Sequence, residues 1–166
     1  MREPIPIDED GRFAGYASAF GLVDESGDVV MPGAFAKSLA KRGKAGVRML
    51  FQHDPKEPVG VWEAIREDGF GLWVEGRLVP GVPRADALRR LIEKRAIDGL
   101  SIGFRTVRAT RDGQRADGKG AHRKLWQIDL WEISIVTFPM LDRARISAGG
   151  AGLAAAVDAA ISLLRQ

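Results

Sequence analysis

Two runs of alternating apolar and polar residues, Val59 to Glu67 and Phe70 to Val79, meet at Asp68-Gly69. That junction limits the fold more than any other feature of the chain. Asp-Gly supplies the backbone conformation that joins two right-twisted antiparallel strands, so the segment predicts a β-hairpin. Strand-like runs recur at Arg12 to Phe20, Val47 to His53, Leu100 to Thr110 and Lys124 to Phe138. The first is followed by a turn-rich loop containing Gly21, Asp24, Ser26, Gly27 and Asp28.

Two helices interrupt the strands. Pro32 opens a short one whose apolar side is the i,i+4 pair Phe35 and Leu39, with Gly43 as its stop. Ala85 to Arg95 spaces Leu88, Leu91 and Ile92 for an amphipathic helix ending near Asp98-Gly99. The stretch Arg111 to Arg123 reads as a mobile, charge-rich loop. Gly149-Gly150 reads as a hinge before a helix-prone, Ala-rich segment, Ala151 to Leu164. The expected organisation is one domain over residues 1–148 and a tail over 149–166. Its class is mainly β or α+β, a closed β-barrel surrounded by a few helices.

Composition narrows the classes of function without choosing one. A chain of 166 residues with 45% hydrophobic and 28% charged residues is the size and character of one globular domain. No apolar run reaches the roughly 20 residues needed to span a bilayer, and Met1-Arg2-Glu3-Pro4 lacks the pattern of a secretory signal. A cytoplasmic protein with no membrane partner is expected. The absence of cysteine excludes disulfides, thiolate metal sites and cysteine nucleophiles. A net charge of +3 demands no nucleic-acid partner.

Three residues carry candidate chemistry. Strand alternation from Val47 puts His53 on the face of Val47, Met49 and Phe51, either as a core histidine satisfied by a backbone carbonyl or as a general base. Alternation from Trp126 puts Glu132 on the face of Trp126, Ile128, Leu130 and Val136, with Trp131, Ile133 and Ile135 on the other. A carboxylate in such a strand is costly unless paired. It is therefore either a strand-end partner of an arginine or the acceptor of the His53 Nδ1 proton. Ser101 sits in Gly99-Leu100-Ser101-Ile102-Gly103. A nucleophile elbow needs a strand before the serine and a helix after it, and here the order is reversed. What remains is a serine between small residues, open to close substrate approach.

Other patterns carry less. Asp24, Ser26 and Asp28 lack the glycine and glutamate positions of a calcium loop. The basic residues Arg105, Arg108, Arg111, Arg115, Lys119, Arg123 and Lys124 read as a solvated face. They have no aromatic residue between Phe104 and Trp126 to stack bases.

Four blocks stand in order: Gly15-Tyr16-Ala17-Ser18-Ala19-Phe20-Gly21 through Phe35; Met49-Leu50-Phe51-Gln52-His53-Asp54-Pro55 with Pro58 to Trp62; Ala96 to Phe104; and Asp129 to Met140. Together they resemble the HK97-type phage prohead proteases, which are related in fold to the herpesvirus assemblins. The resemblance runs from about Gly11 to Ile146 and leaves out the tail. It implies an assemblin-like barrel and a serine endopeptidase with Ser101 as nucleophile and His53 as base, using no metal or organic cofactor. For the third member, strand position favours Glu132, whereas assemblins use a second histidine after the serine, which points to His122; Asp54 is a further alternative. The implied partners are the capsid precursor with its scaffold region and the protease itself, cut inside the assembling prohead in the host bacterial cytoplasm. A homodimer is left open. Two other classes stay in view: a basic barrel that binds nucleic acid, and a catalytically inactive capsid-assembly protein.

Overall fold

A computed structural model describes residues 6–112 and 122–147. In chain order the elements are β1 (Arg12–Ala19), β2 (Asp28–Val30), α1 (Ala36–Arg42), β3 (Arg48–Phe51), β4 (Asp54–Glu67), β5 (Gly71–Leu78), α2 (Pro83–Glu93), β6 (Gly99–Asp112) and β7 (His122–Val136). The hairpin is there: β4 and β5 pair antiparallel, and Asp68 Oδ1 accepts the N–H groups of Phe70 (2.7 Å) and Gly71 (3.0 Å). The strand β2 falls in the segment read as loop. With only three residues it shows no alternation, and its pairing partner, β7, is remote in sequence.

All strands belong to one curled sheet in the order β1-β5-β4-β3-β7-β2, with β6 also paired to β7. One edge of β7 carries β6 along nearly its whole length. The other carries two parallel neighbours, β2 against residues 123–125 and β3 against residues 132–135. The gap between them is filled by residues 31–38. Met31 N–H donates to the Leu125 carbonyl (3.0 Å), and Ile128 N–H donates to the Ala34 carbonyl (3.1 Å). Leu130 N–H donates to the side-chain hydroxyl of Ser38 (2.8 Å).

The expected closed barrel is only half closed. No strand ladder joins β1 to β6; the seam is crossed by isolated bridges from residues 145 and 146, Gly15 with Ile146 and Gly99 with Arg145. Hydrogen bonds from Leu100 N to the Ala144 carbonyl, Ile146 N to the Asp98 carbonyl and Ser147 N to the Ala14 carbonyl stitch it. A short segment with irregular pairing substitutes for an eighth strand, and nothing periodic in the sequence announces it.

The helices cover the apolar side of the sheet. In α2, Ala85, Leu88 and Ile92 are buried, while Leu91 points outward, so the apolar stripe is narrower than its leucines suggest. The approach to α1 is held by Glu67, whose carboxylate accepts the N–H groups of Gly33 (3.1 Å) and Phe35 (2.9 Å). Gly43, at φ 68° and ψ 169°, ends the helix in a region of backbone space essentially reserved for glycine. The core gathers Phe35, Met49, Leu72, Leu88, Ile92, Leu100, Leu125, Ile128, Leu130, Ile133 and Ile135, all essentially inaccessible. At about 1.5–3 kcal/mol per fully buried side chain, these residues dominate the stability of the sheet. Among the described residues no helix is long and apolar enough to cross a membrane. The glycine hinge and the tail after residue 148 lie outside the described residues, as does most of the loop expected between Arg111 and Arg123.

Candidate active site

The centre of the site is a change of phase in β7. Gly103 pairs with Glu132 but Phe104 pairs with Leu130, so Trp131 is an extra residue, a β-bulge. Upstream, Ile128 and Leu130 face the core; downstream, Ile133 and Ile135 do. Simple alternation would have placed Glu132 with Leu130 and grouped Trp131 with Ile133. The bulge overturns both expectations. Trp131 turns outward with about half its surface exposed, and Glu132 joins Ser134 on the face away from Ile133 and Ile135.

On that face two cross-strand pairs stand side by side, Ser101 opposite Ser134 and Gly103 opposite Glu132. Directly opposite residues have Cα atoms about 4.5–5.5 Å apart. The Ser101 side chain therefore lies one strand spacing from Ser134. Gly103 leaves room that is used: a Cβ there would overlap the Glu132 carboxylate. The other glycine of the motif, Gly99, has the Val136 carbonyl oxygen 2.6 Å from where its Cβ would be. Both glycines serve close approach to β7 rather than a sharp elbow.

His53 arrives differently from the strand reading. β3 ends at Phe51, and Gln52 (φ 53°) and His53 (φ 58°) form two consecutive left-handed residues. Such a turn persists where its surroundings over-determine it, and here they do. Gln52 N–H donates to the Ile135 carbonyl (3.0 Å), and Gln52 Nε2 donates to Thr137 Oγ1 (2.7 Å). His53 N–H donates to Ser134 Oγ (3.0 Å). The turn takes the imidazole off the Met49 face and aims Nδ1 at Glu132 Oε1, with which it makes a short hydrogen bond. The second carboxylate oxygen, Oε2, accepts from Ser134 Oγ (2.7 Å). One hydroxyl thus braces both the backbone of His53 and the carboxylate of Glu132.

The electrostatics follow from this geometry. The hydrogen bond that His53 donates to Glu132, reinforced by the charge of the carboxylate, raises the His53 pKa above the ordinary histidine value, against a smaller opposing effect of burial. The Glu132 side chain is 12% exposed and meets His53 and Ser134, not an arginine. The Ser101 residue is 4% exposed and borders a small cavity of about 110 Å³ lined by Ala17, Ala19, Leu22, Ile102 and Met140.

The alternatives for a third member lie elsewhere. His122 opens β7 opposite Asp112, twelve residues before Ser134. At about 3.3 Å per residue that is roughly 35–40 Å along the strand. Asp54 opens β4, where its Oδ1 accepts the Lys56 N–H (2.9 Å). Asp24 is occupied by its own loop, accepting from Ser26 N, Ser26 Oγ and Asp28 N. Asp28 pairs bidentately with Arg123 (2.8 and 2.7 Å). Among the described residues no group of three or more histidine, aspartate or glutamate side chains is arranged to hold a metal ion. Sequence reasoning missed Ser134, although its i,i+2 spacing from Glu132 is the signal that would have placed it on the same face.

Comparisons with known proteins converge on one relationship. The family model described as "Caudovirus prohead serine protease" matches residues 3–156. The prohead protease of Enterobacteria phage HK97 is 38% identical over 141 residues, 84% of this chain. The chain spans 60% of that relative's length. Among solved structures, the bacteriophage T4 capsid assembly protease superposes with a TM-score of 0.57 at 15% identity, over 81% of this chain and 89% of the other. The KSHV protease, solved with a hexapeptide phosphonate inhibitor, gives 0.54 at 9% identity, over 81% and 63%. At such identities these two speak for the fold alone, which this chain shares in outline with a phage and a herpesvirus protease. With a family model covering nearly the whole chain and the phage HK97 relative at this identity, the chain belongs to the Caudovirus prohead serine protease family.

Proposed function

We propose that this protein is a serine endopeptidase of phage prohead maturation, with Ser101 as nucleophile, His53 as general base and Glu132 as the carboxylate that orients it. The observation that carries the reading is the Glu132–His53 hydrogen bond one strand away from Ser101. With Nδ1 committed to Glu132, Nε2 is the nitrogen left to take a proton. As the Ser101 hydroxyl attacks a peptide carbonyl, His53 accepts its proton. A tetrahedral oxyanion forms and collapses to an acyl-enzyme, and the proton passes to the departing amine. Water, deprotonated by the same imidazole, then releases the acyl group. Glu132 holds the tautomer and stabilises the imidazolium through both steps.

The substrates are the capsid precursor with its scaffold region, and the protease itself, cut within the assembling prohead in the host cell. The reading is supported by the family and by the phage HK97 relative. The nucleic-acid reading has less behind it, because several of its basic residues are engaged internally. Arg108 stacks on Trp126, Arg123 pairs with Asp28, and Arg105 approaches Asp129 at 3.7 Å.

Labelling with a serine-reactive peptidyl phosphonate, followed by mass spectrometry of the adduct, tests the reading. The adduct should map to Ser101, and co-expression with the capsid precursor should yield discrete cleavage products. Absence of both labelling and cleavage, alongside steeply salt-dependent DNA binding, would favour the nucleic-acid class instead.

A further inference from the structure

We propose that Ser38 is a positioning residue for the active site, acting from α1 through the bulge of β7 on the Glu132–His53 pair. The inference rests on the catalytic reading for its kinetic consequences but not for its structural ones. Ser38 is buried, 7% exposed, and distant in sequence from β7. Its hydroxyl accepts the N–H of Leu130 at 2.8 Å, in the stretch of β7 that lies between the β2 ladder and the β3 ladder. The residue after Leu130 is the bulged Trp131, and the next is Glu132.

A β-bulge leaves one residue unpaired and the ladder locally disrupted, so its position depends on what fixes the strand on either side. Downstream, β3 does this through its parallel pairing with Glu132 to Ile135. Upstream, on the edge of β7 opposite β6, neither β2 nor β3 reaches Leu130, and Ser38 takes the place of a strand there. The rest of the helix end reinforces the clamp. Arg42 donates to Asp129 Oδ1 (2.8 Å), and the Trp131 indole N–H donates to Asp129 Oδ2 (3.0 Å). Asp129 thereby ties α1 to the outward-turned bulge residue itself.

Ser38 thus sets the phase of β7. Without its acceptor, the Leu130 N–H is left buried and unpaired, which favours rearrangement of the bulge. A shift of one residue there would carry Glu132 to the opposite face. The hydroxyl of Ser38 keeps the carboxylate beside Gly103 and in reach of His53.

The test uses Ser38→Ala and Ser38→Thr in the full chain, read by NMR titration of His53 and by steady-state hydrolysis of a peptide substrate. His122→Gln distinguishes the two histidine signals. In Ser38→Ala the His53 titration midpoint should fall toward the ordinary histidine value, and kcat should drop at least tenfold with KM within twofold. Ser38→Thr, which keeps the hydroxyl, should restore both. If Ser38→Ala does not fold, Ser38→Cys, whose thiol is a weaker acceptor of similar size, is read the same way. An unchanged His53 midpoint in a folded variant overturns the proposal, as does a loss that Ser38→Thr fails to rescue. A fallen midpoint with unaltered kcat upholds the positioning role and instead removes His53 as the base, so the two readings fail separately.

Discussion

Gly103 lies directly across the β6–β7 ladder from Glu132, and the carboxylate of Glu132 occupies the space where a side chain at 103 would begin. The second glycine of the Gly-x-Ser-x-Gly motif is therefore a constraint on the acid rather than on the serine. Gly103→Ala should displace Glu132, lower peptide hydrolysis by two orders of magnitude or more, and destabilise the fold by about 1–3 kcal/mol through overpacking. Gly69→Ala is the control, because a Cβ there meets nothing within 4 Å. Hydrolysis rates and thermal melts of the two variants make the comparison; equal behaviour would remove the constraint.

Raising the His53 pKa, as the Glu132 bond does, moves the pH dependence of catalysis. On the proposed reading His53 is the base and works in its neutral form, so kcat/KM should rise with pH to a plateau, with its midpoint above the unperturbed value of about 6.5. Glu132→Gln should shift that midpoint down and cut the plateau by roughly three to four orders of magnitude, as loss of the third member of a triad does. A flat profile across this range would exclude His53 as the base.

The same shift has a sign for stability. A histidine whose folded pKa is raised contributes stability in full below its unfolded value and loses it as pH rises through the folded value. Urea unfolding of wild type and Glu132→Gln should therefore differ more at pH 5.5 than at pH 9. The opposite order would mean that the pair does not favour the charged imidazole.

Ser134 holds two partners with one hydroxyl, accepting from His53 N–H and donating to Glu132. Ser134→Ala removes both hydrogen bonds. At about 0.5–1.5 kcal/mol for each neutral bond, and more for one to a charged group, the variant should lose about 2–4 kcal/mol in denaturant titration. Peptide hydrolysis should fall about 10- to 100-fold, a smaller loss than for Glu132→Gln.

His122→Ala should leave hydrolysis within about twofold of wild type, since that residue starts β7 at the end remote from Ser134. An inactive but folded His122→Ala, beside an active Glu132→Gln, would reverse the assignment of the third member.

How much of this could be read from the amino acids depends on where periodicity holds. The hairpin at Asp68-Gly69 and the long strands around Ser101 and Leu130 were legible because turn chemistry and alternation are local. Ser101 emerged from its glycines and from the family blocks. His53 and Glu132 were identified as residues, but their orientation was not legible. Alternation extended through Gln52 and His53 misses a left-handed turn, and alternation extended through Trp131 misses a bulge. Both interruptions depend on distant partners, Ile135, Thr137 and Ser134 for the turn, Ser38 and Phe104 for the bulge. The half-open seam escaped for a similar reason, since residues 144–147 join it by two isolated bridges and single hydrogen bonds that leave no pattern in the sequence.

The parallel pairing of β3 with β7 also governs timing during synthesis. His53 and Glu132 are separated by 79 positions, and β7 is the last strand of the sheet among the described residues. A chain still emerging from the ribosome holds Ser101 and His53 before it holds the carboxylate that His53 meets in the folded sheet. Contacts so distant in sequence form late and slowly. Until β7 is made, the nascent polypeptide lacks the partner that His53 Nδ1 meets in the folded sheet, and the proposed site has no means to assemble.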